Sequence, residues 1–352
     1  MGVFSGFRRE SKHNRKSFEL TSILDNSSKD DDKAADDIEP NVMIRDEDDY
    51  EVIERDVSRE TSEPVDAIPD DSSSEESEQF VPAPIKKYSE KEPVRTVVGT
   101  TKVIAILNQK GGVGKSTTSV NLGAALGSFG KQVLLIDLDP QGNTSSGLGI
   151  EKNQLDACIY DALLGEVPLT DVIIPDVCPG LDIAPATINL AGAEVELVSQ
   201  MARENRLKEA VGAIRGKYDY VFIDCPPSLG LLTINALVAA DKILIPIQCE
   251  FYALEGVTKL LDTMKRVQTH LNPSISIFGV LLTMYDGRTT LSRQVADEVR
   301  GFFGKTVFET IIPRTVKLSE APSFGQPINE YDPTGKGAEA YNALAKEVIS
   351  RG

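Results

Sequence analysis

One glycine-rich stretch limits what this chain of 352 residues can fold into. An apolar run that begins at Val103 leads into a turn that closes with Gly114-Lys115-Ser116-Thr117 and opens a helical segment. Glycines let backbone N–H groups approach phosphate oxygens without a clash with Cβ. The N-terminal end of the following helix adds a partial positive charge. The pattern predicts a phosphate-binding loop between a buried strand and a helix; the alternative is a strand–helix turn that binds nothing.

The side chains of this loop indicate that the ligand is a nucleoside triphosphate with a divalent cation. Lys115 can reach the β- and γ-phosphates, and Ser116 can place its hydroxyl on Mg²⁺. We therefore expect ATP and Mg²⁺ as cofactors. The predicted ATP-binding residues of the loop are Lys110, Gly111, Gly112, Val113, Gly114, Lys115, Ser116 and Thr117.

The start of the loop departs from the common P-loop pattern. Gln109 stands where that pattern has its first glycine, and Lys110 adds a second lysine. This deviant form resembles the ParA/MinD group of P-loop ATPases, in which the additional lysine contacts the partner's nucleotide across a dimer interface. The resemblance implies that Lys110 is catalytic and acts in trans like an arginine finger, a contribution of roughly 10³–10⁵ in rate. The alternative is a solvated loop lysine.

Carboxylates follow the second apolar strand, residues 132–136. Asp137 and Asp139 come at its carboxyl end, and a strand beside the P-loop strand would hold them over the ligand. We expect Asp139 to orient or deprotonate the attacking water, and we assign Asp137 to the metal site as a supporting group near Mg²⁺. The alternative is that both carboxylates cap a turn. The polar, glycine-rich run 139–147 is typical of a switch loop that reports the γ-phosphate.

A third strand end carries the metal-binding carboxylate. Four apolar residues, 220–223, precede Asp224, which is the Walker B form. We expect Asp224 to hold Mg²⁺ through water or to accept a hydrogen bond from Ser116. The following run 226–230, which begins with two prolines, predicts a second switch segment.

The chain beyond residue 98 alternates between apolar runs and helical stretches. This alternation predicts an α/β fold with a doubly wound, mostly parallel sheet, a P-loop NTPase domain over residues 99–352. The predicted strands are 103–107, 132–136, 181–184, 220–223, 243–247 and 277–282. The predicted helices are 116–129, 190–214 with a break in the middle, 254–270 and 336–349.

Residues 1–98 have the composition of a disordered acidic extension. The first hundred residues hold 26 acidic and 14 basic side chains, against 28 and 23 in the remainder. The net charge of -17 therefore lies mostly outside the predicted domain and says little about what that domain touches. A basic and aromatic patch at 4–18 could dock on acidic lipid, DNA or a polar scaffold protein; the alternative is a solvated basic tip.

Cysteine usage and hydropathy favour a cytoplasmic protein. The four cysteines, Cys158, Cys178, Cys225 and Cys249, show no C-x-x-C pairing and are expected to be buried, reduced thiols. No run reaches the roughly 18 apolar residues of a membrane-spanning helix, so we expect no transmembrane segment.

Several longer runs resemble the chromosomal ParA/Soj family of partitioning ATPases. They are 108–121, 134–149, 185–194, 218–236, 248–256 and 312–322, so that the resemblance covers about residues 101–350. The sequence Asp-x-Asp-Pro-Gln-Gly-Asn at 137–143 separates this family from MinD. The long acidic segment before residue 99 departs from the short N-terminus of typical members.

The resemblance implies an ATP-driven cycle with named partners. ATP would close a homodimer that binds double-stranded DNA without sequence preference, and a ParB-like centromere-binding protein would stimulate a weak, Mg²⁺-dependent ATP hydrolysis that resets it. The protein would be cytoplasmic and nucleoid-associated, and its cargo a chromosome or a plasmid. Arg288 and Lys317 match family positions for DNA contact, both expected in loops; the alternative is ordinary surface charge. Pro313 and Thr315 match the adenine pocket, although the family often has asparagine in place of Thr315.

A second hypothesis belongs to a different functional class. The unusual N-terminal extension is also compatible with a nucleotide-gated scaffold or regulator, acting in MinD-like positioning or in replication control. Such a protein would act mainly through protein contacts, and hydrolysis would matter little.

Overall fold

A single sheet of eight strands organises the computed structural model, which describes residues 99–251 and 253–351. The order across the sheet is β3-β4-β2-β5-β1-β6-β7-β8, and all neighbours are parallel except the antiparallel pair β3 and β4. The strands are β1 Lys102–Ile106, β2 Val133–Asp137, β3 Ile174–Cys178, β4 Leu181–Ala184, β5 Tyr220–Asp224, β6 Lys242–Gln248, β7 Ser276–Tyr285 and β8 Val307–Pro313. The predicted doubly wound, mostly parallel sheet is confirmed. The predicted disordered segment 1–98 lies outside the described residues.

Helices cover both faces of this sheet. They are α1 Lys115–Ser128, α2 Asn143–Gly147, α3 Ile159–Leu164, α4 Leu169–Val172, α5 Leu190–Glu196, α6 Arg206–Gly212, α7 Leu231–Ala239, α8 Glu255–His270, α9 Thr290–Phe303, α10 Lys317–Glu320, α11 Ile328–Tyr331 and α12 Lys336–Arg351. The predicted break within 190–214 is confirmed, because α5 and α6 are separate helices. Of the described helices, none is long and apolar enough to cross a membrane.

Burial on both faces explains the continuous apolar runs of the central strands. All five residues of β2 and of β5 are buried. Alternate residues of β1 belong to two different core clusters, with Val103 and Ala105 on one face and Ile104 and Ile106 on the other. A strand covered on two sides has no solvent face and therefore needs no polar alternation. The four cysteines are buried free thiols, as predicted.

The strand order corrects one expectation about the site. β2 does not lie beside the P-loop strand β1, because β5 lies between them. The register nevertheless aligns the three strand ends, since Asp224 pairs with Ile106 on one side and with Asp137 on the other. The carboxylates of both strands therefore reach the edge of the sheet from which the P-loop departs.

Further differences concern elements of mixed composition. The edge strands β3 and β8 were not predicted, because polar residues such as Asp176 and Glu309 interrupt their apolar runs. The end of the expected switch loop 139–147 forms the short helix α2. Lys317, expected in a loop, is the first residue of α10.

Candidate nucleotide-binding site

The glycine-rich loop runs from the end of β1 to the start of α1 and needs glycine at two positions. Gly112 and Gly114 have φ values of 72° and 90°, in the left-handed region that other residues rarely adopt. A Cβ placed on Gly111 or Gly112 would meet no atom within 4 Å, so the loop backbone faces open space. These features fit a loop whose N–H groups surround an anion.

Neighbouring strands hold the loop in this shape. The side-chain amide of Asn108 donates to Pro246 O at 2.8 Å, and its oxygen accepts the Lys110 N–H at 3.0 Å. The Thr283 hydroxyl donates to Val113 O at 2.8 Å. Residues of β6 and β7, with Asn108, therefore hold both halves of the loop in place.

The loop opens on a cleft of about 530 Å³. Two loop residues, Val113 and Lys110, do not line the cleft. Val113 is buried, and Lys110 is half-buried. Lys115 is buried, with its Nζ 3.5 Å from Lys110 O. The predicted site residues that line the cleft are Gly111, Gly112, Gly114, Lys115, Ser116, Thr117 and Asp139.

Asp137 is fully buried and bonded to the loop that follows it. Its Oδ2 accepts the Ser145 hydroxyl at 2.6 Å and the Ser145 N–H at 2.8 Å, and its Oδ1 accepts the Asp139 N–H at 3.3 Å. Burial raises the pKa of Asp137 to about 7, the nearby Asp224 carboxylate raises it too, and the Ser145 hydrogen bonds oppose the rise. This arrangement fits a supporting group near a cation better than a direct ligand.

Asp224 has a carboxylate oxygen without a partner. Its Oδ2 accepts the Thr144 hydroxyl at 2.7 Å, whereas its buried Oδ1 accepts no hydrogen bond from the described residues. Burial raises the pKa of Asp224, while the Thr144 and Ser116 hydroxyls and the Lys115 ammonium lower it. A buried carboxylate oxygen that accepts no hydrogen bond from the described residues is suited to a hard divalent cation.

Asp139 begins the loop after β2 and is 6% exposed in the wall of the cleft. Its Oδ1 accepts the Gln141 N–H at 3.0 Å, and its backbone oxygen accepts the Gly142 N–H at 2.8 Å. Lys152 then donates to Gln141 O at 2.9 Å. The turn that carries Asp139 is thus closed by its own backbone and held from outside by one lysine.

A second cavity of about 400 Å³ holds the predicted base-binding residues. Pro313 and Thr315 line it, together with residues from the ends of β6 and β7. Both cavities share the lining residues Gly114, Thr117, Met284, Leu318 and Ser319. The two cavities therefore form one elongated site, with the P-loop on one side and Pro313 on the other.

The two predicted DNA-binding residues line neither cavity. They lie in the chain segments that follow β7 and β8. Arg288 follows β7, and its side chain is 90% exposed. Its guanidinium forms a bidentate ion pair with the Asp286 carboxylate, with N–O distances of 2.8 and 2.9 Å. Lys317 follows β8, is 54% exposed and pairs with Glu320 at 2.9 Å. Each cation is accessible, and each is partly neutralised by an acid of its own chain.

Sequence reasoning missed four residues that build the site. Asn108 and Thr283 support the P-loop, and Thr144 and Ser145 bind the two buried carboxylates. A signal for the last two was present, because both hydroxyl residues lie in the loop 139–147 that follows these carboxylates, and hydroxyls are typical partners for buried acids. Nothing local pointed to Thr283, which lies 170 residues from the oxygen it binds.

Comparison with known proteins gives consistent matches. The family model described as AAA domain matches residues 101–277. The sporulation initiation inhibitor protein Soj of Bacillus subtilis is 59% identical over 251 residues, 71% of this chain and 99% of that protein. The chromosome partitioning protein ParA of Caulobacter vibrioides is 55% identical over 252 residues, 71% of this chain and 94% of that protein.

A solved structure is also similar. It is the cobyrinic acid a,c-diamide synthase from Mycobacterium smegmatis with bound ATP analog and magnesium. The TM-score is 0.63 and the identity 41%, over 71% of this chain and 94% of that one.

Proposed function

The chain belongs to the ParA/Soj family of chromosome-partitioning ATPases, and we propose that it is a Mg²⁺-dependent ATP hydrolase whose nucleotide state switches DNA binding on and off. One observation carries the proposal. The end of the P-loop strand and the two buried carboxylates Asp137 and Asp224 are in register at one edge of the sheet, beside a cleft lined by the P-loop. Phosphate binding and metal binding thereby fall at one place.

The nucleotide lies along the elongated site. The triphosphate occupies the cleft, held by the backbone of residues 110–117 and by the Lys115 ammonium. The base occupies the second cavity against Pro313 and Thr315, both of which line it. The Thr315 hydroxyl already accepts the Leu318 N–H at 3.3 Å and has one proton to donate to the base, whereas an asparagine side chain has two N–H donors and a carbonyl acceptor.

Magnesium fits the chemistry of the donor set. The Ser116 hydroxyl and the Oδ1 of Asp224, which accepts no hydrogen bond within the described part of the chain, would hold the ion, and Asp137 would support the site through its bonds to Ser145. When bound, Mg²⁺ neutralises charge on the β- and γ-phosphate oxygens. Three acidic side chains close together are then balanced by the cation and by Lys115.

Hydrolysis needs a group that orients water and a group that stabilises the transferred phosphoryl. Asp139 supplies the first: its Oδ1 is bound to the Gln141 N–H, which leaves Oδ2 to accept a proton from the attacking water. The water oxygen bonds to the γ-phosphorus as the bond to the β,γ-bridging oxygen breaks, giving ADP and phosphate. Lys110, outside the lining of its own cleft, supplies the second to the partner's nucleotide.

The loop after β2 connects nucleotide state to the surface. Thr144 binds Asp224, and Ser145 binds Asp137 and also accepts the Ala186 N–H at 3.0 Å. A change at the γ-phosphate would therefore move this loop and the segment after β4.

In the ATP state two protomers associate, Arg288 and Lys317 of both subunits face DNA phosphates, and a ParB-like protein stimulates hydrolysis. The protein acts in the cytoplasm on the nucleoid.

Replacing the water-orienting carboxylate tests this proposal. Asp139→Ala should bind ATP but hydrolyse it at least 100-fold more slowly, the lower end of general-base contributions of roughly 10²–10⁴. Sedimentation velocity with ATP and Mg²⁺ should then show a stable dimer that retains DNA, while ADP gives monomer. The matched control is Asp297→Ala, an aspartate on α9 with a 79% exposed side chain. Normal turnover in Asp139→Ala, or a monomer at saturating ATP, would contradict the proposal.

A further inference from the structure

Met284 has an unusual backbone conformation for a large side chain. Its φ is 52°, in the left-handed region, where side chains of this size are rare. Of the described residues other than glycine, only Asp176 and Ala202 share a positive φ. A residue held in such a conformation at a site raises the question of what its side chain does there.

Hydrogen bonds on both sides of Met284 fix this conformation. Thr283 O accepts the Cys249 N–H at 3.0 Å, and Tyr285 O accepts the Arg314 N–H at 3.0 Å. Between these anchors β7 has one residue more than β8, because Leu282 pairs with Ile311 and Tyr285 pairs with Pro313. The extra residue makes a β-bulge, a feature that redirects a side chain. The backbone at Met284 is therefore held by Cys249 and Arg314, the residues that directly follow β6 and β8.

The bulge brings Met284 to the junction of the two cavities. Met284 is half-buried and lines both the P-loop cleft and the cavity of Pro313. A nucleotide that fills both cavities must pass this junction with the part that connects phosphates to base. A methionine there offers a polarizable, apolar contact to the sugar and to the edge of the base.

We propose that Met284 is a specificity-determining residue that contacts the nucleoside and gives the site its preference for a nucleotide over a bare polyphosphate. The proposal rests on the proposed nucleotide-binding function. It predicts that Met284 contributes to binding of ATP and contributes nothing to binding of inorganic tripolyphosphate. It also accounts for the backbone strain, because an unstrained strand without the bulge would not bring this residue to the junction.

Binding measurements on the full chain with Mg²⁺ test the proposal, with ATP and tripolyphosphate as the two probes. Met284→Ala should raise the Kd for ATP by about 5- to 30-fold, as expected for removing one partly buried apolar side chain, and leave the Kd for tripolyphosphate within about twofold. Met284→Leu, of similar volume, should stay within about threefold of wild type for ATP.

Glycine variants separate the side chain from the backbone strain. Met284→Gly should weaken ATP binding as much as Met284→Ala does, yet unfold at a higher urea concentration than Met284→Ala, because glycine adopts a positive φ freely. Ala202→Gly is the matched control: it relieves the same kind of strain outside both cavities and should leave the ATP Kd unchanged.

Two results would overturn the inference alone. One is wild-type protein that binds ATP and a Met284→Ala variant that binds it equally well. The other is a Met284→Ala variant whose affinities for ATP and tripolyphosphate fall by the same factor, which would mean a general disturbance of the loop. Wild-type protein that binds tripolyphosphate but not ATP would overturn the proposed function and this inference with it.

Discussion

Single hydroxyl groups position the buried carboxylates of the site. The Ser145 side chain is buried and bonded twice, donating to Asp137 at 2.6 Å and accepting the Ala186 N–H at 3.0 Å. It thus links a carboxylate at the end of β2 to the segment that follows β4. A buried polar group that loses its partner costs about 1–3 kcal/mol, so each of these bonds matters for stability.

Removing this hydroxyl should destabilise the domain. Ser145→Ala leaves the buried Ala186 N–H without a partner and takes one bond from Asp137, so the free energy of unfolding should fall by about 1–3 kcal/mol. Urea unfolding followed by circular dichroism measures the change. Ser128→Ala is the control, because the exposed Ser128 hydroxyl donates only to Ala125 O within its own helix. Equal midpoints for the two variants would contradict the role given to Ser145.

Acidic partners limit the two candidate DNA contacts. Asp286 binds Arg288 through both carboxylate oxygens, and these hydrogen bonds hold the pKa of Asp286 down to about 2. Asp286 is therefore charged at neutral pH. Since the Arg288 side chain is 90% exposed, water weakens this ion pair and a DNA phosphate can compete for the guanidinium.

Charge substitutions at these positions should change DNA affinity in opposite directions. Arg288→Ala with Lys317→Ala should keep ATP turnover and lose ATP-dependent DNA binding at moderate salt. At low salt, where weak binding can still be measured, the slope of log K against log salt should be smaller by roughly 0.9 for each DNA phosphate that the variant no longer neutralises. Asp286→Asn should strengthen binding, because it releases the Arg288 guanidinium. Filter binding across a salt series measures both. DNA affinity that survives in the double variant at moderate salt would show that the DNA-binding surface lies elsewhere.

Close packing against neighbouring segments fixes the position of helix α1. Gly127, near the end of α1, lies so close to the turn before β4 that a Cβ would come within 2.2 Å of Pro179 O. At the same helix, the Asn121 side-chain oxygen accepts the Ile328 N–H at 2.6 Å. Since α1 begins at Lys115, these contacts also determine how the P-loop lysine is presented.

A pair of glycine substitutions tests this packing. Gly127→Ala should lower the free energy of unfolding by about 1–3 kcal/mol, the usual cost of forcing atoms into a filled space. Gly301→Ala, in α9, meets no atom within 4 Å and should instead raise it by about 0.5–1 kcal/mol through reduced chain entropy. Thermal or urea unfolding compares the two. A stabilised Gly127→Ala variant would mean that α1 is not held against the turn.

The elements that sequence could predict are those defined by local pattern. The P-loop, the strand before Asp224 and the break between α5 and α6 all follow from runs of neighbouring residues. The position of β5 between β1 and β2 could not be predicted, because strand order depends on pairing between distant segments. The same applies to Met284 and Thr283, whose roles come from a bulge in β7 and from a contact with Val113. The sequence therefore predicts the residues that bind phosphate and metal, whereas the residues that support them are identified only in the folded structure.

Charge is unevenly distributed along the chain. Residues 1–95 contain all 26 acidic and 14 basic side chains of the first hundred, a net charge of -12, while the rest of the chain carries -5. A strongly acidic segment joined to a DNA-binding domain repels the phosphate backbone at low salt. Salt screens this repulsion, because the Debye length falls from about 10 Å at 0.1 M to about 3 Å at 1 M.

Deleting residues 1–95 should therefore preserve ATP-dependent DNA binding and strengthen it at low salt. We expect the Kd of the deletion variant for non-specific DNA to be lower than that of the full chain below about 0.1 M salt, and the two values to converge as salt increases. Binding with ADP in place of ATP is the control, and it should be weak for both proteins. If the deletion variant hydrolysed ATP but no longer bound DNA, or if its Kd exceeded that of the full chain, the acidic segment would be part of the binding machinery. That outcome would favour a scaffold that acts through contacts of its N-terminal segment over a partitioning ATPase that acts through its folded domain.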